Sequence, residues 1–258
     1  LTDRVGRYTV RKLTASQLSQ RDALDAIGAG YTMTALLEFD VTEARRGLRR
    51  LKGEGSQVSF FAFVVQAVGK ALARTPELNA MVSGNRIYRF EDIDVAVPVE
   101  VELGDGRRIP RQVVLRNVDR KSLVDLTHEV ALGKTGGLGP DPTGRTGMDG
   151  LLWVPRWLRV LILRFVVSQP LAVKAWSGTV FLTSVTGFTS VPGFVIPTSG
   201  GPKAVSFAVG SVRKADGKDL LSMSVLFNHI AIDGAPAARF IEGLRRILDT
   251  GPETSVLH

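Results

Sequence analysis

The sequence predicts an α/β fold built on one mixed β-sheet with flanking helices. Three observations carry this reading. Segments with the period of strands and of helices alternate irregularly, unlike the regular alternation of a doubly wound sheet. The 258 residues are 44% hydrophobic and 22% charged, a balance that supplies a full core and excludes a disordered chain. Cysteine is absent, so disulfides, thiolate metal sites and a cysteine nucleophile are excluded together. Residues 1–258 are expected to form a single domain, with 1–30 as an N-terminal segment and 133–177 as a divergent insertion.

Gly28 and Gly30 mark a loop leading into a strand over Tyr31–Asp40, in which Tyr31, Met33, Ala35 and Leu37 alternate. Thr42 is placed to cap a basic helix, Glu43–Lys52. From Ser59 onward, Phe60, Phe63, Val64, Ala67, Val68 and Leu72 recur at helical spacing and predict a core helix that stops before Pro76. The extended run Ile93–Val101, a turn at Gly104-Asp105-Gly106 and a second extended run at Val113–Leu115 predict two paired strands. Ser122–Leu132 returns to helical character, and Gly133–Gly150, rich in Gly, Pro, Thr and Asp, reads as a connection.

Leu151–Val167 is strongly apolar, but Arg156, Arg159 and Arg164 interrupt it before it reaches the ~18 apolar residues of a membrane span. With Pro155 in the first turn, the arginines fall on one side of a helix and Trp157, Val160, Leu161 and Phe165 elsewhere. A basic amphipathic helix over 151–167 can rest on a membrane or line an acyl pocket. The expectation here is a helix that packs on the core and solvates its arginine edge. Strands over Thr179–Thr186, Ala204–Val212 and Leu220–Ile230 follow, and a helix over Ala235–Leu248 closes the chain.

A net charge of +8 favours anionic partners: phosphate-bearing cosubstrates, acidic carrier proteins, nucleic acid or anionic lipid. No zinc-finger spacing, RNA-binding aromatic signature or basic heptad helix is present, so nucleic acid is not expected, and no metal site is expected either. No apolar leader opens the chain, and a cytoplasmic location is the expectation.

The histidines are His128, inside a predicted helix, His258, at the C-terminus, and His229. Met223, Val225, Phe227 and His229 share one face of the preceding strand, so the imidazole is expected to be desolvated and held neutral. Asp233 and Gly234 stand before the last helix, where Asp can cap it and Gly can turn sharply.

Asn228-His229-Ile230-Ala231-Ile232-Asp233-Gly234 resembles the His-x-x-x-Asp-Gly signature of the chloramphenicol acetyltransferase superfamily, and is most similar to the dihydrolipoamide acyltransferases of 2-oxoacid dehydrogenase complexes. Phe39-Asp40-Val41-Thr42, Pro76-Glu77-Leu78-Asn79-Ala80, Ile93–Pro98 and Asp119-Arg120-Lys121-Ser122-Leu123 resemble successive landmarks of that family, in its order. Gly178–Gly187 resembles the strand that carries its oxyanion-stabilising serine.

The resemblance implies an α+β sandwich that assembles as a homotrimer, with each active site built between two subunits, the histidine from one chain and the serine from its neighbour, and an enzyme that moves an acyl group from a thioester to a thiol or hydroxyl. It implies His229 as general base, Ser184 as oxyanion donor and Asp233 as a structural anchor paired with an arginine, for which Arg21 is the candidate and Arg11 the reserve. Thr183 and Asn228, beside the serine and the histidine, become candidate substrate contacts. No cofactor is expected to be resident. The implied partners are an acyl-coenzyme A or acyl-carrier donor and a small-molecule acceptor. Asn228 departs from the family's usual Asp or His before the histidine, and Gly136–Pro170 departs from its pattern altogether. Nothing like a lipoyl or peripheral-subunit-binding domain precedes Tyr31, so the chain by itself is not expected to act as a swinging-arm subunit. A truncated core of a 2-oxoacid dehydrogenase complex, a non-catalytic trimeric scaffold and a condensation-type enzyme remain open beside the main reading.

Overall fold

The computed structural model describes residues 31–102, 108–135, 153–185, 191–197 and 201–252, together with Ala15, Leu18, Ser19, Asp22, Asp25 and Ala26, which are helical. Along the chain stand β1 (Thr32–Asp40), α1 (Thr42–Gly53), α2 (Phe60–Ala73), a 3-10 turn (Pro76–Leu78), β2 (Ala80–Ser83), β3 (Arg86–Arg89), β4 (Val95–Glu102), β5 (Arg108–Leu115), α3 (Leu123–Lys134), α4 (Arg156–Val167), α5 (Pro170–Ser177), β6 (Val180–Ser184), β7 (Val205–Ala215), β8 (Lys218–Asn228) and α6 (Gly234–Thr250). Six strands form one sheet in the order β1-β8-β7-β6-β4-β5, and β2 and β3 form a separate hairpin. The sheet is mixed: β6 runs parallel to β4 and to β7, and the remaining pairs are antiparallel.

The core lies between one face of this sheet and the helices. Leu221, Met223, Val225 and Phe227 of β8, Val180 and Leu182 of β6, and Val95 and Val97 of β4 all belong to it. Ser59 starts the central helix α2 by accepting a hydrogen bond at Oγ from the Ala62 N–H (3.1 Å), and Ala62, Phe63, Val64, Val65, Ala67, Val68, Ala71 and Leu72 are buried along it. A helix apolar on all sides needs cover on all sides, and α2 packs against both α3 and α6. α6 is fastened to the sheet by Phe240, whose ring lies 5.8 Å from that of Phe207 and 6.3 Å from that of Phe227.

Several elements differ from their sequence-based expectations. Val41, not Thr42, occupies the N-cap position of α1. Thr42 Oγ1 instead donates to Asp40 Oδ1 (2.6 Å) and accepts from the Asp219 N–H (2.9 Å), joining β1 to the start of β8. Pro155 caps α4 from outside its first turn. The β2–β3 hairpin and α5 were not predicted, because four-residue strands and an eight-residue helix are too short for periodicity to register. The predicted turn at Gly104-Asp105-Gly106 and most of the Gly133–Gly150 connection lie outside the described residues.

The largest correction concerns α4, which buries one of its three arginines and turns its largest apolar side chains outward. Arg159 is buried and donates from Nε to Asp22 Oδ2 at 2.6 Å, and Arg156 pairs with Asp22 and Asp25. Trp157, Leu161 and Phe165 face outward. The arginine edge therefore does not lie on one solvated side, and the aromatic residues do not pack on the core.

A buried carboxylate orders the sheet near β6. Asp94 Oδ2 accepts from Arg116 Nη1 (2.8 Å) and Oδ1 from the Asn117 N–H (3.1 Å), while Arg116 Nη1 also reaches the Lys174 carbonyl (3.0 Å). These bonds tie β4, the end of β5 and α5 together. Gly178 completes the join: its φ is +58° and a Cβ there would stand 2.5 Å from the Asp94 carbonyl oxygen, so only glycine fits. The direction in which β6 leaves α5 is set at this point.

Candidate active site

β8 ends at Asn228, and the next residues fold back into α6 through a tight turn. The turn is held from within: the Ile230 N–H donates to Asn228 Oδ1 (3.1 Å), and the Ala231 and Ile232 N–H groups donate to the Asn228 carbonyl (2.9 and 3.1 Å). It is held from outside by the His229 N–H on the Tyr31 carbonyl (2.8 Å) and the Asn228 N–H on the Ala204 carbonyl (2.9 Å). Ile232 is buried and anchors the loop to the core. Asn228, a candidate substrate contact by sequence, thus spends its side-chain oxygen on the turn that presents His229.

The imidazole of His229 is 58% exposed, which corrects the expectation of a desolvated ring. The strand that would have carried it along the apolar row of Met223, Val225 and Phe227 stops one residue short, so the side chain stands beyond the sheet. Its neighbours Tyr31 and Ile230 are exposed as well. Nδ1 lies 4.0 Å from Asp233 Oδ1, an electrostatic separation too long for a hydrogen bond. Asp233 takes the N-cap position of α6 without a side-chain capping bond, contrary to the cap foreseen for it, and its carboxylate is 89% exposed. Arg21 and Arg11, the candidate partners of Asp233, lie outside the described residues.

Ser184 is the last residue of β6, where it continues the core-facing row of Val180 and Leu182; Thr183 points to the opposite face with Phe181. The register decides how these residues relate to His229. Ser184 pairs with Val209 of β7, and Val209 pairs with Met223 of β8. His229 follows Met223 by six residues, so within one chain the serine and the histidine are separated by about 20 Å along the sheet. One chain does not bring them together.

Sequence reasoning missed Lys203. It stands beside Ala204, the residue that receives the Asn228 N–H, and its ammonium is fully enclosed, bonding Ser177 Oγ at 3.0 Å and the Ser177 carbonyl. Burial pushes its pKa down to about 7. The ammonium caps the C-terminal end of α5 and lies 5.9 Å from the centre of the Phe181 ring. Nothing in the local sequence distinguishes Lys203 from a surface lysine, because its partner Ser177 lies far off in the chain.

The family model for the 2-oxoacid dehydrogenases acyltransferase (catalytic domain) matches residues 3–135. The lipoamide acyltransferase component of the branched-chain alpha-keto acid dehydrogenase complex of Bacillus subtilis (strain 168) is 27% identical, over 96% of this chain and 52% of that protein. The chain therefore spans about half the length of this curated relative. Among solved structures, the dihydrolipoamide acetyltransferase of Azotobacter vinelandii, studied for the roles of a serine, a histidine and an asparagine in its catalytic mechanism, superposes with a TM-score of 0.68 at 19% identity, covering 95% of this chain and 93% of that one. A chloramphenicol acetyltransferase superposes with a TM-score of 0.52 at 17% identity, covering 92% and 96%. At these identities the structural likeness establishes the fold, a mixed sheet with flanking helices of the chloramphenicol acetyltransferase kind. The family match spans more than half of the 258 residues, and on it the chain belongs to the 2-oxoacid dehydrogenases acyltransferase (catalytic domain) family.

Proposed function

We propose that this chain transfers an acyl group from a thioester, carried by coenzyme A or by an acyl-carrier protein, to a thiol or hydroxyl acceptor, at a site that two subunits share. The observation that carries the proposal is the presentation of His229: a turn fixed at both ends by backbone hydrogen bonds holds an exposed imidazole at the end of the sheet. His229 and Asp233 stand four positions apart, as do the histidine and asparagine of the Azotobacter protein, with Asp here in place of Asn.

In this reading His229 removes the proton of the acceptor S–H or O–H as the acceptor attacks the thioester carbonyl. Ser184 of a neighbouring subunit donates its O–H to the developing oxyanion. Collapse of the tetrahedral intermediate breaks the C–S bond, and the proton held by His229 returns to the departing thiolate. No acyl-enzyme and no resident cofactor take part. The register separation of Ser184 from His229 supports a homotrimer in which each histidine meets the serine of the next chain, through one heterologous contact repeated threefold. Thr183, beside the serine, is assigned to substrate contact, while Asn228 acts by holding the turn that presents His229.

The test is release of free thiol from a panel of acyl-coenzyme A thioesters, each with dihydrolipoamide or a hydroxyl acceptor. Acceptor-dependent thiol release, with the acylated acceptor detected by mass, is the expected result. A protein that binds no thioester and releases no thiol with any pair would favour the non-catalytic scaffold.

A further inference from the structure

We propose that the α4–α5 hairpin is a docking element for an anionic membrane surface, on which α4 lies flat. This inference does not depend on the acyl-transfer reading. The chain has three tryptophans, Trp153, Trp157 and Trp176, and all are exposed on this hairpin or its entry, at 94%, 71% and 50%. Trp157, Leu161 and Phe165 follow one another at helical spacing along the outward stripe of α4, and Leu171 of α5 adds to the exposed apolar surface. A row of large apolar side chains turned to water while an arginine is buried beneath them is the reverse of a helix made for solvent.

The helix is held rigidly in that orientation. Arg159 and Arg156 fasten its inner side to Asp22 and Asp25, and α5 beneath it packs on β5 and β2. The apolar stripe is therefore a built face rather than a swivelling side of a loose helix.

Charge selects the occupant. The two helices of the hairpin carry no acidic residue, and their charged residues are Arg156, Arg159, Arg164 and Lys174. Arg164 sits at the edge of the stripe and pairs with no carboxylate among the described residues. An apolar stripe rich in tryptophan, edged by a free arginine on a chain of net charge +8, matches the acyl–headgroup boundary of an anionic bilayer. No helix among the described residues is long and apolar enough to cross a membrane, so the contact is interfacial.

Because all three tryptophans lie on the hairpin or its entry, tryptophan fluorescence reads this region alone. The full chain is titrated with vesicles of phosphatidylcholine containing phosphatidylglycerol, and with vesicles of phosphatidylcholine only, at low and high salt. The expected result is a blue shift and co-sedimentation with the anionic vesicles, weakened by salt and by removal of phosphatidylglycerol. Trp157→Ser with Phe165→Ser should lower vesicle affinity at least about tenfold, while leaving thiol release unchanged. Arg164→Glu, which leaves the apolar face intact, should weaken binding to anionic vesicles alone. Absence of any shift or pelleting with anionic vesicles would overturn the proposal. So would an emission already blue-shifted without lipid, together with a smaller particle mass for the double serine variant, because the face would then be covered by a second copy of the chain.

Discussion

His229→Ala is expected to lower acyl transfer by roughly 10²–10⁴ while changing stability by no more than about 0.5 kcal/mol. The two halves of this expectation come from separate observations. The loss follows from the role of the imidazole as the only base the mechanism supplies for the acceptor proton. The intact fold follows from its position: the side chain is 58% exposed, and the hydrogen bond that the residue makes to Tyr31 comes from its backbone N–H, which alanine keeps. Steady-state thiol release and a thermal melt of the same sample check both. A variant that retains the wild-type rate would remove His229 from the mechanism, and a variant that unfolds would show that the ring is a packing residue.

Ser184→Ala should cost roughly 10²–10³ in kcat, with a much smaller change in KM, as expected for a donor whose hydrogen bond strengthens only when the carbonyl oxygen becomes an oxyanion. Ser184 ends β6 in a half-buried position, so the small loss of volume is tolerated. A rise in KM with kcat unchanged would reassign the hydroxyl to ground-state binding.

The fold was legible where burial and local chemistry agree. In α2, an apolar run at helical spacing announces a helix starting near Ser59, and the structure begins it at Phe60 with Ser59 as its cap. The strands of the sheet were legible for the same reason, since β4 and β8 alternate residues of the core with residues of the opposite face. The orientation of α4 was not, because Arg159 is drawn inward by Asp22, a partner more than a hundred residues away that no periodicity reveals. His229 was misjudged for a smaller cause: the alternation of β8 extrapolates one residue past the point where Asn228 turns the chain. The motif named the candidate residues and the resemblance implied a site shared between subunits; the register adds that Ser184 and His229 lie far apart in one chain.

That separation makes co-expression of two inactive chains the most direct measurement of the central claim. A His229→Ala chain and a Ser184→Ala chain are produced together, purified through a different tag on each, and assayed for thiol release. Mixed trimers contain interfaces at which an intact histidine faces an intact serine, so activity should rise well above that of either parent, and each parent expressed alone should remain inactive. A purified mixed assembly no more active than its parents would contradict the shared site, as would a wild-type protein that remains a 27.9 kDa monomer in light scattering while it turns over.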